Sequence, residues 1–179
     1  GIFSPGTTFS NDSENNSNNI MCIWVEKFEK IQNKFIIGVS SIDVFTGQSF
    51  IKEINETYFE NPTTYDELEK IISIYNPNET IIISNTFDEN KMEEIINFST
   101  IKSKKIRKIY LKDNSTLSNK ASKCENQNYQ KEVFNIFWDI TDINMFFETQ
   151  QFNEFPIATQ SLCFLLNFIY THNQNLVKR

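Results

Sequence analysis

Glycine and proline occur only four times each in this chain, cysteine three times and histidine once. Gly1, Gly6, Gly38 and Gly47 stand alone, so no glycine-rich phosphate loop is present and nucleotide hydrolysis by this chain is excluded. Cys22, Cys124 and Cys163 lie far apart and are odd in number, which rules out a disulfide framework or a paired-cysteine zinc knuckle and leaves reduced thiols. The single histidine, His172, has no cysteine or aspartate at triad spacing and reads as a solvated helix-end residue. The longest apolar run, Leu162 to Tyr170, is interrupted by Asn167 and falls well short of the roughly 18–20 residues that span a bilayer. With no secretory leader pattern either, the expected location is intracellular, with no membrane partner.

Seventeen phenylalanines and 39% hydrophobic residues are ample for a packed core, and a charged fraction of 22% is too low for a disordered chain. The heavy use of Asn, Ile and Lys points to an AT-rich coding genome. Asp and Glu outnumber Lys and Arg, 23 to 17, so the chain as a whole is not built to grip nucleic acid by charge.

Residues 1–19, with a Pro5-Gly6 turn signal and the polar run Asn11 to Asn19, read as an incoming linker. Ile20–Phe28 is then expected as a strand, followed by Phe35–Val44 and Gln48–Ile54 as an antiparallel meander. Phe35–Val44 is apolar on both faces and should be central, while Gly38, Ser40 and Ser41 leave room for something bulky to pack closely. Phe45-Thr46-Gly47 is the connecting turn.

The period then changes to helical. Thr64 and Glu67 have capping-box spacing, Leu68, Ile71, Ile72 and Tyr75 share one face, and Asn76-Pro77 stops the helix. Thr80–Ser84 is a buried strand, Asp88 caps a second helix with Met92, Ile95 and Ile96 inward, and Ile106–Leu111 is another strand. Lys112–Asn126 reads as a polar loop, Tyr129–Trp138 as a helix, and Pro156 opens a long apolar helix. That helix ends abruptly at Lys178-Arg179, as if cut from something larger. The order βββαβαβα predicts an α/β fold, a ribonuclease H-like mixed sheet of an antiparallel three-strand meander plus two parallel strands, flanked by helices. The expected division is a linker over 1–19, a domain over 20–150, and the start of a following domain over 151–179.

Such a fold suggests a two-metal nuclease or resolvase, which needs several carboxylates converging on paired Mg²⁺ ions. Glu26 is the only acid on the first strand, none stands on Ile81–Ser84, Asp88 lies beyond that strand, and Asp43 suits a turn. No catalytic, cofactor or metal residue is therefore assigned. Lys102, Lys104, Lys105, Arg107 and Lys108 form the one cationic cluster, either a solvated approach to a strand or a docking patch for an acidic partner or a DNA backbone. Trp24, Trp138, Phe146, Phe147, Phe152 and Phe155 lie among acids such as Asp142, Glu148 and Glu154, so core packing or an interface is favoured over base stacking.

Three stretches in order, Ser4-Pro5-Gly6-Thr7, Asn18-Asn19-Ile20-Met21 and Val39 through Phe50 with its Asp43 and Thr46-Gly47, resemble the MutS family of DNA mismatch repair proteins. The segment Ala158 to Ile169 resembles the opening of that family's core domain. The run Asn11–Asn18 and the stretch Lys112–Asn126 depart from the family pattern, and the Asn/Ile/Lys usage would suit a divergent viral or organellar member. The resemblance implies a connector domain without enzymatic activity, lying between a mismatch-recognition domain and an ATPase and clamp. It implies neighbouring domains of the same polypeptide and a MutL-type protein as partners. ATP, Mg²⁺ and DNA would be handled by the full-length protein, not by this chain. The competing expectations are the nuclease or resolvase named above and a structured-DNA binding module.

Overall fold

The computed structural model describes residues 2–3, 18–28, 30, 34–57, 62–86 and 88–172. The strands are β1 (Ile2–Phe3), β2 (Asn19–Phe28), β3 (Lys34–Asp43), β4 (Ser49–Thr57), β5 (Glu79–Ser84) and β6 (Lys105–Tyr110). The helices are α1 (Asp66–Tyr75), α2 (Glu89–Phe98), α3 (Thr116–Lys123), α4 (Gln127–Trp138), α5 (Ile143–Thr149) and α6 (Pro156–His172). One sheet runs in the order β1-β4-β3-β2-β5-β6. β2, β3 and β4 pair antiparallel, whereas β5 joins β2 and β6 joins β5 in parallel. This is the expected ribonuclease H-like sheet, with β1 added as a two-residue pairing on Ser49 and Phe50. Most of the predicted linker lies outside the described residues.

Because strand side chains alternate, β3 sends Phe35, Ile37 and Val39 to one face and Ile36 and Ile42 to the other. The first face is closed by Leu68, Ile71 and Ile72 of α1 and by Met92 and Ile95 of α2. The second is closed by α3 to α6, with Trp24 completely buried beneath them. Both layers of helix are needed, since a sheet apolar on two faces must be covered on both.

The N-terminal turn of α6 sits on the sheet at a socket made by Gly38 and Glu53, which are cross-strand partners on β3 and β4. A Cβ on residue 38 would lie 2.3 Å from the Ile157 carbonyl carbon, so only glycine admits the helix backbone there. Beside it, Glu53 Oε1 accepts the Ile157 N–H at 2.7 Å and the Ala158 N–H at 3.1 Å. The carboxylate thus satisfies two free donors at a positively polarised helix start. Burial pushes its pKa up, and the two backbone N–H groups partly offset that rise. From this socket α6 crosses the sheet until Phe168 lies beneath the Arg107 guanidinium of β6, 5.1 Å from its ring centre.

Local expectations meet three corrections. Thr64 does not cap α1: it lies in a 3-10 turn, Pro62–Tyr65, and the residue before the helix, Tyr65, makes no side-chain cap bond. Glu67 instead pairs with Lys52 and Lys70, each at 3.4 Å. The stretch that reads as a polar loop contains α3, where Ser115 and Ser118 cap each other: Ser118 N donates to Ser115 Oγ at 3.1 Å and Ser115 N to Ser118 Oγ at 2.9 Å. Finally, α5 has no counterpart among the expected elements; its Asp142 cap accepts the Met145 N–H at 3.1 Å. The aromatic residues do form core. Phe134 of α4 meets Phe152 at 5.1 Å and both Trp138 and Phe147 at 5.5 Å between ring centres.

Candidate interface at the carboxyl end of the parallel strands

β2, β5 and β6 point the same way, so their carboxyl ends lie together at one edge of the molecule, the place where open α/β sheets take ligands. A cleft of about 650 Å³ opens there, with Glu26 and Phe28 from β2, Asn85 after β5, Leu111 after β6, and Ser122 and Glu125 at the end of α3.

Among the described residues, Glu26 and Glu125 are the acids that face this cleft. Glu26 Oε1 accepts the Trp24 indole N–H at 2.9 Å. Burial raises the Glu26 pKa, the Trp24 bond pulls it back, and the Glu125 charge raises it further. Burial also raises Glu125. The next position a metal nuclease would use, the end of β5, holds Asn85. Its amide is committed to the backbone of Lys27: Lys27 N–H donates to Oδ1 at 2.9 Å, and Nδ2 donates to the Lys27 carbonyl at 3.0 Å. A carboxylate has no donor for that second bond, so Asn85 extends the sheet where an acid would open a metal site.

The other acids weighed from sequence lie elsewhere. Asp88 uses Oδ1 to cap α2, accepting from Asn90 N at 3.0 Å and Lys91 N at 3.2 Å. Asp43 opposes Asn19, at the far end of β2 from Glu26, and accepts the Phe45 N–H at 2.9 Å in the β3–β4 turn. No group of three or more His, Cys, Asp or Glu able to hold a metal ion occurs among the described residues. Glu125 escapes sequence reasoning because its stretch reads as a loop, although Leu117, Ala121 and Cys124 at i, i+4 and i+7 carry a helical signal.

The five-residue cationic cluster is divided by the strand pleat. Lys108, on the α2 side, is bound by Glu89 at 3.1 Å and by Glu93, which together raise its pKa. Arg107, on the α6 side, donates to Glu79 at 2.9 Å. Lys102, Lys104 and Lys105 are exposed and have no ion-pair partner among the described residues. His172 is exposed, its ring stacked on Phe168 at 4.1 Å. The three cysteines are free and buried.

Residues 18–178 match the profile of MutS domain II, which takes in β2 to α6 and hence the whole described fold apart from β1. The chain belongs to the MutS domain II family. Among curated relatives, this MutS domain is 27% identical over 85 residues to a DNA mismatch repair MutS homologue of Acanthamoeba polyphaga mimivirus. That stretch is 46% of this chain and 8% of the viral protein, so the chain spans only a small part of the relative it matches. A solved neighbour is the Holliday junction resolvase of fowlpox virus, 12% identical, with a TM-score of 0.44 over 84% of this chain and 98% of that one. A likeness of that size carries no chemistry across. No helix among the described residues of this MutS domain is long and apolar enough to cross a membrane.

Proposed function

We propose that this MutS domain is a non-catalytic connector of a MutS-like mismatch repair protein. It joins a mismatch-recognition domain to the ATPase and clamp domains and presents a surface to a MutL-type partner. The observation that carries the reading is the family match over 18–178, which embraces the complete sheet apart from β1, together with α6. The architecture supports it in two ways. A sheet with a filled core on each face is stiff enough to move as one body between alternative dockings. The cleft at the strand ends has an amide, Asn85, locked to the backbone where a nuclease would need a carboxylate.

In this reading α6 has two duties: it closes the connector's core and leads the chain towards the next domain. ATP and Mg²⁺ belong to the whole protein, and no residue of this chain is assigned to them. The test is made in the full-length protein by comparing ATP turnover with mismatched and matched DNA. Gly38→Ala, which unseats the first turn of α6, should reduce the difference between the two DNAs while mismatch binding persists. An unchanged difference would overturn the coupling role. Cleavage of branched or hybrid substrates by this chain with Mg²⁺ or Mn²⁺ would overturn the non-catalytic one.

A further inference from the structure

We infer that Lys102, Lys104 and Lys105 form a rigid cationic strip that contacts the phosphate backbone of duplex DNA. This goes beyond the connector reading, since coupling between domains requires no DNA contact from this one.

The segment between α2 and β6 is held in place from within. Ile101 is buried and its N–H donates to Ile96 O at 3.1 Å. Ser103 Oγ donates to Pro77 O at 2.8 Å and lies 2.6 Å from Thr80 Oγ1. Residues 101 and 103 thereby point inward, which turns Lys102 and Lys104 outward, and Lys105 follows at the start of the exposed edge strand. The backbone beneath the cations is already ordered, so only side-chain freedom is lost on binding.

The neighbouring acids do not cancel these charges. Glu79 stands opposite Lys105 in the strand register, but its carboxylate is held by Arg107. Glu89 and Glu93 are on the other face with Lys108. Three uncompensated lysines remain, with no apolar anchor exposed between them. A protein partner bound specifically would want such an anchor, usually aromatic or Arg at the centre of a contact. A regular polyanion needs only the cations and the counterions they release. Because the domain is acidic overall, the contact is weak and strongly salt-dependent, a local contribution to DNA held elsewhere.

The test is fluorescence anisotropy of a short labelled duplex with the 179-residue chain, repeated across a salt series. The triple variant Lys102→Glu/Lys104→Glu/Lys105→Glu should weaken binding by about tenfold or more at low salt and flatten the log–log salt slope by about 2–3. Lys108→Gln should leave both quantities as they are. If charge reversal disturbs folding, the neutral triple Lys→Gln variant should still flatten the slope in the same direction. Absence of binding by the unmodified chain at low salt would overturn the proposal, as would an unaltered slope in the triple variants. Competition by polyglutamate as effective as by unlabelled duplex would overturn it too, assigning the strip to an acidic polypeptide instead.

Discussion

The two faces of the sheet are covered by different means. On one, α1 and α2 are short amphipathic helices, each contributing two or three buried apolar side chains to a layer made mostly of Ile, Val and Met, with Phe35 and Tyr65 edge to face within it. On the other, four helices form a layer of their own, with interlocked aromatic rings and an α6 that is buried on nearly every side. The first face is a lid on a sheet; the second is a small helical core that happens to use the sheet as its floor. The difference implies that defects should spread further on the second face, because its helices touch one another as well as the strands.

The sharpest way to break the comparison is truncation of one central residue on each side. Phe134→Ala should cost about 3–5 kcal/mol and lower the cooperativity of urea unfolding, since three other rings each lose one of their partners. Leu68→Ala, also fully buried, should cost about 2–4 kcal/mol with the unfolding slope retained. Equal losses with equal slopes would show the two faces to be equivalent after all. Gly38→Ala is next, expected at about 1–3 kcal/mol because the added methyl meets helix backbone and not a flexible side chain. Hydrogen exchange should then report faster exchange in the first turns of α6 while α1 and α2 keep their protection. Removing the socket's other half, Glu53→Ala, should cost about 0.5–2 kcal/mol, the range of a lost helix cap, in the same urea assay.

The smallest effect expected is one of pH. Glu26 and Glu125 both have pKa values raised by burial, so the folded protein holds protons that the unfolded chain has released. Their favourable contribution is full below the ordinary carboxylate range and is lost as pH rises through the raised values. In the double variant Glu26→Gln/Glu125→Gln, the amide oxygen introduced at position 26 can still accept from Trp24. The variant should therefore be more stable than the unmodified protein at pH 7. That advantage should shrink as pH falls through the raised pKa values. Thermal melts at several pH values would reveal an opposite trend at once.

How much of this can be read from residue order differs between the faces for the same reason. Period and capping rules work where a helix has one wet side, so Asp88 with Met92 and Ile95 announces α2 without ambiguity. They fail where a helix is short and its one buried residue packs against another helix, as Phe147 of α5 packs on Phe134, or where its cap is a serine pair, as with α3. The Thr64 capping box fails in another way: the spacing is right, but a 3-10 turn moves the cap from Thr64 to Tyr65 and the helix start one residue later, to Asp66. At the cleft, the lack of an acid on β5 is visible in the sequence, whereas the reciprocal Asn85–Lys27 clamp needs residues 58 positions apart to be brought together. The Gly38–Glu53 socket is of the same kind. A glycine with two nearby serines signals close approach, but nothing in the order of residues names the helix that approaches, more than a hundred positions away.

That socket sits at one end of a seventeen-residue helix whose other end comes to rest against the opposite edge of the sheet. Mechanically this is a beam pinned at its root. A pull on the chain leaving His172 would load the contacts of Asn167, Phe168 and Tyr170 first, and only once those gave way would the tilt reach the socket and strain β3 and β4.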